Sequence, residues 1–124
     1  MNVAIWILQV LLALFFVYHS YMLLRPNRER LQRGGMKYVL EMPAGLRVFA
    51  GSAEGLAGVA LIVTPFLGPL KILAPLAASG LVVLMLGAIV FHYGRREFQN
   101  IGLNAVLGIL SATIAWARFG PYHF

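Results

Sequence analysis

The chain contains no cysteine. That absence excludes disulfides, thiolate metal sites and any dithiol relay of its own. Charge is scarce as well. Charged residues make up 11% of the 124 positions, whereas 60% are apolar. Soluble domains carry about 25% charged and roughly 45–50% apolar residues. A soluble fold of this size cannot hide so much apolar surface, so lipid must cover it. Acidic groups are the rarest charge, four against ten Lys and Arg, for a net charge of +6. This excess reads as a basic collar flanking membrane segments, and no nucleic-acid partner is expected. The first apolar stretch lacks a basic leader and a small-residue cleavage pattern. It is predicted to stay as a membrane helix rather than to be removed as a signal peptide.

What is present is a run of apolar segments separated by Pro, Gly and Arg. The pattern predicts one all-α domain over residues 1–124, an integral membrane four-helix transmembrane bundle with spans at 3–24, 46–66, 70–93 and 98–118. Arg25-Pro26 stops the first span, because proline disfavours helix at the residue before it. Residues 25–45 form a basic interfacial loop. Within it Asn27 is placed to cap a turn over 28–33, Gly34-Gly35 to break it, and Met36 to Met42 to form a second short piece anchored by Tyr38 and Met42. This loop either folds over one end of the bundle or serves as an interfacial linker. Thr64-Pro65-Phe66-Leu67-Gly68-Pro69 closes the second span, Pro75 falls in the first turn of the third, and Gly120-Pro121 ends the fourth. Small residues recur as Gly51, Gly55 and Gly58 in the second span and as Ala105, Gly108, Ala112 and Ala115 in the fourth. Such stripes let helices approach closely, within one chain or between chains.

Eight of the ten basic residues lie in loops one and three or at the adjoining helix ends. The positive-inside rule then puts loops 25–45 and 94–98 in the cytoplasm and both termini outside. The termini-side end, with only Lys71 and Arg118, is expected to be a dry cap. Gln9, alone in that half, is expected to glue helices together.

Polar groups in hydrocarbon are costly and mark candidate sites. Glu54 lies about two turns inside the second span, roughly 12 Å from its loop-one end at 1.5 Å per residue. Arg47 shares its face but lies too far along the helix for direct pairing. Tyr18 and His19 lie near the loop-one end of the first span, His92 near the end of the third, and Asn104 early in the fourth, a turn after Asn100. Each helix therefore brings a polar group to one level, and the candidate ligand-binding set is Glu54, His92, Asn104, Arg47, His19 and Tyr18. No tight spacing supports a metal site from His19, Glu54 and His92. Val17-Tyr18-His19 is echoed by Val90-Phe91-His92.

The order of these elements resembles the DoxX-like family of small four-helix bacterial membrane proteins. The resemblance rests on Tyr/His before Arg25-Pro26, on Pro43-x-x-x-Arg47, and on Ala50-Gly-Ser-Ala-Glu-Gly-Leu-Ala-Gly58. It continues through Pro65-x-x-Gly68, Ala88-Ile-Val-Phe-His92, Asn104-x-x-Leu-Gly108 and Arg118-Phe-Gly-Pro121. It implies a multi-pass protein of the bacterial plasma membrane whose polar core is Arg47, Glu54, His92 and Asn104. Namesake members of the family are associated with quinone-linked oxidation of sulfur compounds, and others with membrane complexes for oxidative stress. Without cysteine, sulfur chemistry through its own thiols is excluded, so a quinone or a partner would carry electrons. No covalently bound cofactor is expected.

Three functions fit these observations. The chain is a small subunit holding a quinone or another lipid-soluble ligand around Glu54. Alternatively it is an accessory subunit of a larger membrane complex, or a homo-oligomer, with no ligand of its own. The third is a stand-alone isomerase-like enzyme on a hydrophobic substrate, with Glu54 as acid or base. The sequence does not decide whether the chain is an enzyme.

Overall fold

A computed structural model describes residues 1–33 and 38–124. Six α-helices follow one another: α1 (Asn2–Leu24), α2 (Arg28–Arg33), α3 (Tyr38–Glu41), α4 (Ala44–Val63), α5 (Leu73–Gly94) and α6 (Phe98–Phe119). Two short 3-10 turns, Thr64–Phe66 and Gly68–Ile72, link α4 to α5. With these turns included, four segments of 23, 23, 27 and 22 residues are long and apolar enough to cross a membrane. A 30 Å hydrocarbon core needs about 20. The expected spans and the Pro/Gly turn stand within a few residues of these bounds. The expected break at Gly34-Gly35 and the first two residues of the Met36–Met42 piece lie outside the described residues.

The helices pack as two close pairs, α1 with α4 and α5 with α6. A looser seam joins α4 to α5, and the one between α1 and α6 is sparser still. Lipid tails are as apolar as leucine, so close packing and polar contacts must hold such pairs together. In the α1–α4 pair the glycine stripe supplies the closeness. A Cβ at Gly55 would stand 2.6 Å from Ser20 Oγ, and one at Gly58 would stand 2.9 Å from Val17 Cγ2 and 3.0 Å from the Ala13 carbonyl. Ser20 Oγ donates to the Gly51 carbonyl at 2.6 Å across the same contact. This stripe is therefore used within the chain. The buried face of α6 instead runs Asn104, Leu107, Ser111 and Ile114, one residue off the small-residue stripe, and Ala112 is exposed.

Leu12, Ala13, Phe16, Leu61, Ala78, Leu81, Met85, Leu107 and Ile114 form the central core. A second cluster sits at the loop-one end, where Leu31, Tyr38 and Val39 pack on Met22 and Leu23. The loop thus folds over the bundle. Tyr38, expected as an interfacial anchor, is buried instead at 9% exposure. Val39 and Leu31 give the loop an apolar underside that only the helix ends can cover. The termini-side end also differs from expectation, because Arg118 is buried rather than flanking.

Candidate functional site

The site forms where all four membrane-crossing helices and the folded-over loop converge. On α1, His19 follows the buried row of Leu12, Phe16 and Ser20, so its ring points toward α4 rather than lipid. On α4, Glu54 lies in the buried row Gly51, Glu54, Gly58, Leu61. The two meet with His19 Nδ1 3.0 Å from Glu54 Oε2. The other ring nitrogen, Nε2, lies 2.9 Å from the Tyr38 hydroxyl. Burial, and then the nearby Glu54 and Glu97 carboxylates, push the Tyr38 phenol well above its ordinary pKa, so it keeps its proton. One assignment satisfies both bonds: Tyr38 donates to Nε2, and Nδ1–H donates to Glu54. A hydrogen-bonded chain thus runs from the loop to a carboxylate only 3% exposed.

His92, on α5, faces the Tyr38 ring edge-on at 4.6 Å between centroids. Its orientation is fixed by the turn that follows. Arg96 adopts a left-handed backbone with φ of 57° and reverses the chain. The Glu97 N–H then bonds the His92 carbonyl at 2.9 Å, a helix-ending pattern spanning five residues. The same reversal brings the Glu97 carboxylate 2.8 Å from His92 Nδ1, so the Nδ1–H donates to it. Arg95 donates to Glu97 at 2.8 Å and also to Glu41, which ties the loop to the end of α5.

Partial burial pushes the Glu97 carboxyl up, but hydrogen bonds from Arg95 and His92 together outweigh it and hold the group below its ordinary range. A depressed folded pKa gives stability that is present above the ordinary carboxylate range and lost as pH falls through the lowered value. Thermal unfolding in detergent should therefore show an acid-side loss of under about 1 kcal/mol, as partly exposed ion pairs give. Glu97→Gln should flatten it, and an unchanged acid slope in that variant would remove Glu97 as its source.

Two cavities meet at this cluster. One, of about 310 Å³, lies in the seam between α4 and α5 and is walled by Leu46, Phe49, Ala50, Leu84 and Ala88. The other, of about 240 Å³, lies between α1 and α6 and is walled by Phe15, Tyr18, Asn100 and Leu103. His19, Tyr38, Glu54, Met85, His92 and Asn104 line both. Asn104 is 9% exposed, and among the described residues its amide has no hydrogen-bond partner. A shallower groove of about 610 Å³ continues the first cavity along α4 and α5 toward the other end, sharing Phe49, Val83 and Leu84.

Of the residues singled out from sequence, the structure brings His19, Glu54, His92 and Asn104 to one place. Tyr18 borders the α1–α6 cavity only and is exposed. Arg47 lines neither cavity. Its Nη1 donates to the Leu23 carbonyl, one of the carbonyls left open at the end of α1. Sequence reasoning missed Tyr38 and Glu97 as members. The available signals were Tyr38 beside an apolar Val39 in a basic loop, and Glu97 as the lone acid in the α5–α6 turn. Among the described residues, no three His, Cys, Asp or Glu side chains are grouped to hold a metal ion.

Comparison with known proteins agrees with this architecture. The model of the DoxX-like family matches residues 7–114, which reaches into all four spans and includes every residue of the cluster. No curated protein and no solved structure matches the chain. A match over that much of the sequence, on four membrane-crossing helices, makes this chain a member of the DoxX-like family.

Proposed function

We propose that the chain binds a lipid-soluble ligand with a polar, hydrogen-bonding head, of the quinone class, in the cleft around Glu54. The observation that carries this reading is the junction of two cavities at one polar cluster inside an apolar bundle. A polar group in hydrocarbon is costly unless something pairs with it or wets it. Here Glu54 accepts, the Asn104 amide can donate, and both border the same space. A quinone carbonyl needs a donor, and a quinol hydroxyl needs an acceptor. The cluster offers both, with Tyr38 and His19 linking Glu54 toward the loop.

The surroundings suit a long apolar tail. The α4–α5 cavity falls at the lower end of the roughly 300–1,000 Å³ typical of small-molecule sites. Its rim residues Leu46, Phe49 and Val83 are exposed on membrane-crossing helices, so the mouth faces lipid and the ligand enters sideways. The groove below it, lined by Leu56, Ala57, Leu76 and Ala77, extends the path for a tail. In this reading the protein belongs to the bacterial plasma membrane and serves membrane redox chemistry. The basic loops lie in the cytoplasm, so the Tyr38 end of the hydrogen-bonded chain faces that side.

Gly87 offers a direct test. It borders the α4–α5 cavity, and a Cβ there would meet nothing within 4 Å. Gly87→Trp should fold normally and fill the cavity mouth. Quinone extracted from the purified protein and quantified by mass spectrometry should fall by roughly tenfold, the equivalent of about 1.4 kcal/mol of binding. Wild-type protein that carries no quinone after mild extraction and takes none up on addition would end this reading.

A further inference from the structure

At the opposite end of the bundle Arg118 is only 3% exposed. Its Nε donates to Gln9 Oε1 at 2.9 Å, and its Nη1 donates to Asn2 Oδ1 at 2.7 Å and to the Tyr122 carbonyl at 2.8 Å. Gln9 is itself oriented by its amide, which donates to the Leu61 carbonyl at 2.5 Å. The guanidinium lies over the rings of Trp6 and Phe124, at 5.0 and 4.2 Å from their centroids. Two of its three nitrogens are thus engaged. The third, Nη2, is buried and has no partner among the described residues.

No side-chain carboxylate is available to neutralise this cation. The four acidic residues, Glu29, Glu41, Glu54 and Glu97, all belong to the loop-one and loop-three end. At the termini side Lys71 and Arg118 stand together. They line one cavity of about 330 Å³ with His123, between the 3-10 turn that leads into α5 and the end of α6. A buried, hydrogen-bonded arginine with a spare N–H, beside a lysine and a histidine, has the chemistry of an oxyanion site. Guanidinium geometry matches phosphate oxygens in particular.

We propose that this cavity binds a phosphate group, with Lys71 as the donor at the rim, Arg118 supplying uncompensated positive charge at its wall, and His123, whose Nδ1 donates to the Gly120 carbonyl, bordering the mouth. The cavity lies where two membrane-crossing segments end, at the level of lipid headgroups, so a phospholipid phosphate reaches it from the bilayer. Inorganic phosphate from solution presents the same oxygens.

The test uses the full chain in nanodiscs of equal phosphatidylglycerol and phosphatidylcholine, with retained lipid read by native mass spectrometry. A parallel arm titrates inorganic phosphate into detergent-solubilised protein by calorimetry. The test variant is Lys71→Gln with His123→Gln, which leaves the bonds of Arg118 to Gln9, Asn2 and Tyr122 intact. Retention of phosphatidylglycerol over phosphatidylcholine by roughly tenfold, lost in the double variant at unchanged melting temperature, supports a lipid headgroup. Phosphate binding in calorimetry without a lipid preference, again lost in the double variant, supports the free ion. Absence of both signals in wild type overturns the proposal, and so does a signal that the double variant leaves unchanged.

Discussion

Glu54→Gln is expected to empty the cleft while leaving the bundle folded. Glutamine has the size of glutamate, and its Oε1 can still accept from His19 Nδ1, which lies 3.0 Å from the native carboxylate. The bond to Tyr38 also survives, because it uses the other nitrogen of His19. What disappears is one of the two carboxyl oxygens, replaced by an amide N–H that turns a donor toward the ligand. A polar group left mismatched in a buried site costs about 1–3 kcal/mol. A mismatch of that size at the ligand head should lower quinone occupancy by roughly tenfold, since about 1.4 kcal/mol is a factor of ten. Melting in detergent should shift little, by the equivalent of about 1 kcal/mol. Quinone content in the purified variant equal to wild type would refute a role for Glu54 in holding the ligand. Loss of quinone together with loss of the folded state would point instead to a structural role.

Gly58→Leu should have the largest effect on stability. The backbone of α1 lies so near α4 that even a Cβ at Gly58 would press on Val17 and on the Ala13 carbonyl. The carbonyl is main chain and cannot swing aside, so the two helices must separate. Overpacking of this kind costs up to about 3 kcal/mol, and leucine adds three more carbons than the Cβ alone. The damage should reach the site, because His19 and Glu54 lie on the same two helices, a turn further along. Gly80→Ala is the matched control, since a Cβ there meets nothing within 4 Å and alanine is the better helix former. Melting of both variants in one detergent checks the pair. If Gly58→Leu melts like Gly80→Ala, the close α1–α4 contact is not needed for the fold.

The membrane spans and the level of the polar groups were legible because both follow from counting. Apolar run length gives the spans, and a fixed rise per residue places Glu54, His19, His92 and Asn104 at one depth. Direction around the helix was less legible. Arg47 shares a face with Glu54 on an ideal helix, yet it turns to the open carbonyl of Leu23, a partner visible only once α1 is packed alongside. Tyr38 was hidden for another reason. It lies outside any periodic segment, and its burial comes from the loop docking through Leu31 and Val39. Arg118 looked like a flanking charge because topology rules treat terminal arginines that way. Its burial depends on Gln9 standing at the same depth on a helix more than a hundred residues away in sequence.

The uneven packing of the four helices has a mechanical meaning. The bundle consists of two closely packed halves, α1 with α4 and α5 with α6, and the shared lining of the two cavities draws on both. His19 and Glu54 belong to one half, His92 and Asn104 to the other. A molecule gripped by both acts as mortar between them, so its binding free energy adds to the cohesion of the protein. On the proposed reading cohesion and occupancy are linked, and the modest fall in melting expected for Glu54→Gln includes the share that the ligand contributes.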